Sequence, residues 1–272
     1  MNVDEMHITR VPMWEKYAWL RHGFSSRGGG LSTVYGGRDL NLGFTKDDDP
    51  ESVAGNRRLF LKAVGLGAMS EMVTVRQVHG TSVKVVEAGE TAALRTVDGR
   101  AVVEADGLMT AAPAVMLAIQ VADCVPVLVA DVRRRVVAGF HAGWRGTAAG
   151  IVELGVAKLM DEFGSDGDDL VGAVGPAIGA CCYTVGEEVR ERFGARFAYA
   201  AELFEEKEDG LHVDLAEANR RQLAGAGLRA DKVTVLRECT ACARVNGRQK
   251  YFSHRAEQGF TGRAMGMIGL VV

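Results

Sequence analysis

No stretch of this 272-residue chain holds the ~18 consecutive apolar residues of a membrane span, so a helical membrane protein is not expected. The opening residues, MNVDEMHITRVPMW, lack a basic segment followed by an apolar one. A secretory signal peptide is therefore not expected either, and the cytoplasm is the expected compartment. Proline is scarce, five residues in all, and there is no low-complexity tract, which argues against a long disordered linker. Basic excess is missing too: 32 Lys and Arg stand against 35 Asp and Glu, for a formal net charge of −3. Neither a nucleic acid nor an anionic membrane is an expected partner. Cysteines are few and odd in number, five, and Cys181 and Cys182 are adjacent. That suits reduced thiols in a cytosol better than a disulfide framework.

What remains is ordinary for a globular protein, with 47% hydrophobic and 25% charged residues. Strands and helices mix irregularly, with hairpins and no repeat. This predicts an α+β or mixed α/β fold in one domain, 1–272, loose over 1–10. Seven glycines between Gly23 and Gly43 predict a long loop. Asp49-Pro50-Glu51 starts a helix through Ala63. The stretch from Val73 to Val86 reads as a β-hairpin turning at Gly80-Thr81, with Val73, Val75, Gln77 and His79 on one face. Strands are predicted at 106–110, 115–121, 170–174, 232–236 and 267–272, and a hairpin at 126–132 and 136–140 across Arg133-Arg134-Arg135. Helices are predicted at 148–163, capped by Thr147 and closed by Gly164, at 187–193, and from Asp214 to about Ala226.

The chain is organised around Leu117 to Gly150, three apolar strands and the start of a helix. Reactive residues sit at two of the breaks. Cys124 interrupts an apolar run in Ala-Asp-Cys-Val-Pro. His141 ends another and is followed by Ala-Gly-Trp-Arg-Gly. A loop of small residues with one Arg, between strand and helix, is where an α/β protein places chemistry. His79, alone at the end of a predicted strand, reads as structural or exposed when taken by itself.

These segments form a set: Gly23-Phe24-Ser25 with Arg27 and Gly29-Gly30, Asn41-Leu42-Gly43, Gln77-Val78-His79-Gly80, Ala122-Asp123-Cys124-Val125-Pro126, His141 to Thr147, Gly175-Pro176-Ala177-Ile178-Gly179, Phe252-Ser253 and Thr261-Gly262-Arg263. Together they resemble the YfiH/YlmD-type laccase-domain family, which carries both polyphenol oxidase and purine nucleoside phosphorylase names. The resemblance runs from about residue 22 to the C-terminus, and HAGWRGT is its most specific segment. It implies a four-layer α-β-β-α fold and a Zn²⁺ held by His79, Cys124 and His141. It also implies phosphorolysis of adenosine, inosine, guanosine and methylthioadenosine, and deamination of adenosine. His254 and Ala256 stand where many relatives have Tyr and Arg.

The residue chemistry permits this without dictating it. Two imidazoles and a thiolate suit zinc and leave a fourth position open, as catalytic rather than structural sites do. The spacing 79, 124, 141 is too long to give such a site unaided. A phosphate co-substrate needs cationic donors. Arg145, before a helix start, fits, and Arg27 in the Gly-rich segment is a second candidate; the alternative for each is a surface salt bridge. Asn41 is a candidate for hydrogen bonding the nucleoside, or a turn former. Asp123 is a candidate general acid/base, although neighbours in a strand face opposite sides. Gln77 shares a face with His79. Cys239-Thr240-Ala241-Cys242 is a C-x-x-C, half a zinc site or a redox pair. With no second C-x-x-C in the chain, its cysteines are read as packing or loop residues.

Three other functions compete. One is a Cys–His hydrolase or deamidase with Cys124 as nucleophile and His141 as base, since the implied fold is shared with a cysteine-dependent toxin deamidase. Another is a copper-dependent polyphenol oxidoreductase. A full multicopper centre would need roughly ten histidines, and the chain has six, so only adventitious copper at the zinc ligands survives that comparison. The last is a non-catalytic redox sensor using Cys239 and Cys242.

Overall fold

A computed structural model describes residues 5–65 and 71–271. It is a mixed α/β domain built on two large mixed sheets. The five-stranded sheet has the order β1 (Ile8–Thr9), β2 (Leu20–Ser25), β17 (Ala264–Leu270), β7 (Val115–Val121), β4 (Glu71–Val73). The six-stranded sheet has the order β14 (Val233–Val235), β10 (Leu170–Val174), β8 (Val125–Asp131), β9 (Val136–Ala142), β6 (Gly107–Thr110), β5 (Val83–Val85). Smaller pieces are β11 (Thr184–Val185), β12 (Phe204–Lys207) and β13 (Gly210–Val213) in one sheet, the pair β15 (Arg244–Val245) and β16 (Arg248–Gln249), and β3 (Gly28–Ser32).

Strands β7, β8, β9 and β17 are apolar at almost every position because both of their faces are covered. In β8, Val125, Val127 and Val129 pack with Phe140 and with the apolar stripes of α3 (Ile151–Phe163) and α5 (Leu215–Gly225). The alternate residues Leu128 and Ala130 instead meet Leu117 and Ile119 of β7 and Ile268 of β17, in a cluster shared by the two sheets. The other face of β7 and β17, with Met116, Ala118, Met265 and Met267, packs on Phe60 of α1 (Pro50–Ala63). Helix α1 begins as its sequence predicts, with Asp49 accepting the Ser52 N–H at 2.9 Å. Asp214 caps α5, Gly164 closes α3 in the left-handed conformation, and the β8–β9 hairpin forms. Among the described residues no helix is long and apolar enough to cross a membrane.

Four expectations are corrected. Val73 to Val86 is not a hairpin. Strand β4 pairs with β7 and β5 with β6, so the two lie in different sheets and residues 74–82 pass between them. The Gly-rich segment is strand in part, because Gly29 and Gly30 hydrogen-bond Arg38 and a side chain on Gly30 would strike the backbone of Asp39. Thr147 caps nothing: it lies inside the short α2 (Trp144–Ala148), and Gly150, at φ +80°, separates α2 from α3. In the segment expected to be loose, Ile8 and Thr9 pair with β2, and residues 1–4 lie outside the described residues. A short fourth helix, α4 (Glu187–Gly194), falls where the sequence places it.

Candidate active site at the passage between sheets

Two segments that carry the chain from one sheet to the other meet at the same place. Residues 122–124 join β7 of the five-stranded sheet to β8 of the six-stranded sheet. There Asp123 adopts φ +88°, a region costly for most side chains but more tolerant of Asp. Its surroundings hold it. Oδ1 accepts the Thr240 hydroxyl at 2.6 Å and Oδ2 accepts the Arg255 N–H at 2.7 Å. Its carbonyl accepts the Ile178 N–H at 2.9 Å. This bend breaks strand alternation, so Asp123 and Cys124 both border one cavity, against the expectation from the period of two. With both oxygens committed, Asp123 is placed to position Cys124.

The second passage, residues 74–82, carries His79 at φ +62°. A fully buried carboxylate, Asp106, pins it: Oδ2 accepts the Val78 and Gly80 N–H groups at 3.2 and 2.7 Å, and Oδ1 accepts the His79 N–H at 2.9 Å. The same Oδ1 pairs with His141 Nδ1 at 2.8 Å. Asp106 thus orients one imidazole through its backbone and the other through its ring, leaving Nε2 of His141 for a ligand. Burial pushes this carboxyl up, but the His141 ring and the N–H donors outweigh burial and hold it below its ordinary value. Sequence reasoning missed Asp106. At the start of the predicted strand 106–110 it carries no signal of its own, and only its burial distinguishes it.

Cys124 Sγ lies 3.8 Å from His79 Nε2, and the ligand atoms of His79, Cys124 and His141 all fall within 4.8 Å of one another. Zinc bonded at about 2.0–2.3 Å to nitrogen and sulfur asks for donors about 3.4–3.8 Å apart, a small inward shift. Gly143 keeps that space open, since a side chain there would come 2.7 Å from His79 Cδ2 and 3.0 Å from Cys124 Sγ. Burial pushes the Cys124 thiol up. The charge on His141 and hydrogen bonds from both histidines override it and bring the thiol down to about 6. For His141, burial pulls down, while Cys124 and Asp106 carry it up to about 9. Without a metal the proton therefore sits on His141 rather than on Cys124, and His141 must release it before Nε2 can ligate zinc.

The cluster borders a cavity of about 740 Å³. Phe44, Trp144 and Tyr183 provide flat apolar walls, and Arg145 lines the same cavity. The Arg145 guanidinium stacks over the Trp144 ring at 4.4 Å and makes no ion pair among the described residues. Gln77 borders the cavity, but its amide is paired to the backbone of Gln120 in both directions, at 2.7 and 2.8 Å, as a strand neighbour would be. Arg27 and Asn41 are placed elsewhere. Arg27 is buried against Asp39 at 3.1 Å, Glu257 at 2.6 Å and the Tyr35 carbonyl at 2.5 Å. Asn41 is fully buried, bonding Gly43 and Asp48 and accepting the Arg263 N–H at 2.8 Å. Of the six histidines, only His79 and His141 join a metal-ligating cluster among the described residues.

Two mixed sheets with a His₂Cys cluster at the passage between them define a recognisable class. The crystal structure of Bacillus licheniformis YfiH superposes with a TM-score of 0.87 at 31% identity, covering 98% of this chain and 99% of that one. The chain belongs to the family described as multi-copper polyphenol oxidoreductase laccase, whose model matches residues 21–271. It is 35% identical over 266 residues to the purine nucleoside phosphorylase YlmD of Geobacillus stearothermophilus, covering 94% of this chain and 95% of that one. It is 37% identical over 250 residues to a purine nucleoside phosphorylase of Deinococcus radiodurans, covering 92% and 88%.

Proposed function

We propose that the protein is a zinc-dependent purine nucleoside phosphorylase for adenosine, inosine, guanosine and methylthioadenosine, with adenosine deaminase activity. The observation that carries this reading is the His79–Cys124–His141 cluster in an aromatic-walled cavity that Arg145, without an ion pair among the described residues, also lines. The names of the relatives point the same way. Zinc held by the three ligands would supply Lewis-acid chemistry at the open end of the cluster. Arg145 binds the phosphate dianion and aims it at the ribose carbon, where positive charge develops as the glycosidic bond breaks. Phe44, Trp144 and Tyr183 enclose the purine and exclude water. The reading includes the family's four-layer α-β-β-α arrangement, which the three apolar clusters support.

Chromatography of the products tests it. With phosphate, inosine should give hypoxanthine and ribose 1-phosphate, and His141→Ala and Cys124→Ala should lose this activity. In Arg145→Ala the KM for phosphate should rise about ten-fold, from the loss of a charged hydrogen bond of roughly 1.5–3 kcal/mol. Base release that ignores phosphate would instead indicate a hydrolase. The nearness of Cys124 to His141, with the thiol pulled down and the imidazole carried up, favours a second reading, a cysteine hydrolase or deamidase, in which the thiolate attacks and the imidazolium returns a proton. Full activity in protein shown to be metal-free would select it.

A further inference from the structure

The four cysteines that the nucleoside chemistry does not use converge. Cys181 and Cys182 follow β10, and Cys239 and Cys242 follow β14, its parallel neighbour. The pairing of these strands continues through a bridge between Ala177 and Cys239. Hydrogen bonds from Ala177 N to Glu238 O at 3.3 Å and from Thr240 N to Ala177 O at 3.0 Å support the bridge. Two tight turns then bring the thiols together, with Cys182 N on Gly179 O and Ala243 N on Cys239 O, each at 2.9 Å. All four sulfurs lie within 4.8 Å of one another, and Cys181 Sγ is 3.7 Å from Cys242 Sγ.

We propose that Cys181, Cys182, Cys239 and Cys242 form a structural Zn²⁺ site, separate from the His79–Cys124–His141 cluster. A tetrahedron with zinc–sulfur bonds of about 2.3 Å has edges of about 3.8 Å, so four mutually close sulfurs match a closed site with no position for substrate. The backbone supports a thiolate at Cys239, whereas burial holds the Cys181 and Cys182 thiols up until a metal displaces their protons. The Gly179 N–H donates to Cys239 Sγ at 3.2 Å. Gly179 is confined by the cluster, since a side chain on it would lie 3.3 Å from Cys181 Sγ and from Cys239 Cβ. Zinc binding releases the thiol protons and changes no oxidation state.

The site braces one wall of the cavity. Tyr183, next to Cys182, borders that cavity. Thr240, between Cys239 and Cys242, donates its hydroxyl to Asp123, the residue that bends the chain into Cys124. The ion would therefore clamp the segments after β10 and β14 to each other and to the passage carrying Cys124, whatever substrate the cavity takes.

The test is metal analysis of Cys124→Ala, which removes the sulfur from the other cluster and leaves these four cysteines intact. After purification under reducing conditions and reconstitution with Zn²⁺, this variant should keep a tightly bound zinc. X-ray absorption should show zinc with four sulfur neighbours, and all four thiols should resist alkylation until a chelator strips the metal. Cys239→Ser/Cys242→Ser should lose the four-sulfur signature. If that variant does not fold, the sulfur count and alkylation in Cys124→Ala decide the matter. A zinc environment of nitrogen with fewer than four sulfurs, freely alkylated thiols, two disulfides by mass, or iron in place of zinc would overturn the proposal. None of these readouts involves a nucleoside, so failure of the phosphorylase reading leaves this result intact.

Discussion

Asp106 accepts hydrogen bonds from three successive N–H groups and from an imidazole, all without exposure to water. Replacing one of its oxygens by an amide turns an acceptor toward donors and removes the charge that fixes the His141 ring. Asp106→Asn should weaken zinc binding about 10–100-fold, the usual cost of losing a partner behind a metal-ligating histidine. Competition against a chromophoric chelator measures this, and unchanged affinity would show that the backbone alone sets the site. At this scale the sequence was partly legible. Cys124 and His141 stand out because each interrupts an apolar run. His79 emerged only from the resemblance, since its placement depends on Asp106, 27 residues away. The C-x-x-C looked isolated because its partners, Cys181 and Cys182, form no motif of their own and arrive through the pairing of β10 with β14.

Elements were easiest to read where burial on both faces leaves an unbroken apolar run, as in β8 and β9, or where one buried face leaves a helical stripe, as in α3. They were misread where a long-range partner replaces a local one. Gln77 lies in an alternating stretch that suggested a hairpin, yet its side-chain amide takes the place of a strand neighbour for Gln120. Strand β2 hides a similar case. His22 Nε2 accepts the Val11 N–H at 2.8 Å, and the ring packs edge-on to Trp14 at 4.8 Å. Burial, with a smaller contribution from Arg10, lowers the His22 pKa from 6.5 to about 4. The folded state needs this ring neutral, whereas the unfolded chain protonates it near 6.5. Its contribution is therefore fully present above pH 6.5 and is lost as the pH falls toward 4, by about 3 kcal/mol in all. His22→Gln keeps an acceptor for Val11 and titrates nowhere in this window. Urea unfolding at pH 7 and pH 4.5 should show a smaller loss of stability for the variant than for the parent. Equal losses would place the acid sensitivity elsewhere.

Across the whole molecule, the chain is closed by its ends. Strand β17, nearly the last residues, lies between β2 and β7 near the centre of the five-stranded sheet. A buried charge network ties the Gly-rich N-terminal segment to the chain just before β17. Arg27 pairs with Asp39 and Glu257, and Arg248 also pairs with Asp39. Glu257 in turn accepts the Ser253 N–H and the Thr261 hydroxyl. The segment so anchored supplies His254, Arg255 and Arg263 to the cavity. Arg27, read from the sequence as a phosphate contact, thus acts from behind the wall. Arg27→Met should leave Glu257 short of a partner and Asp39 with Arg248 alone. Removing one partner of a buried pair of this kind costs about 3–5 kcal/mol. The thermal midpoint should fall clearly, while the KM for phosphate of the remaining folded enzyme stays within about two-fold of the parent, well short of the ten-fold that one lost charged hydrogen bond allows. Arg145→Ala should do the reverse, sparing the thermal midpoint and raising that KM. Steady-state kinetics and thermal unfolding on both variants separate the two arginines. An Arg27→Met enzyme with unchanged stability and a raised phosphate KM would return Arg27 to the binding site.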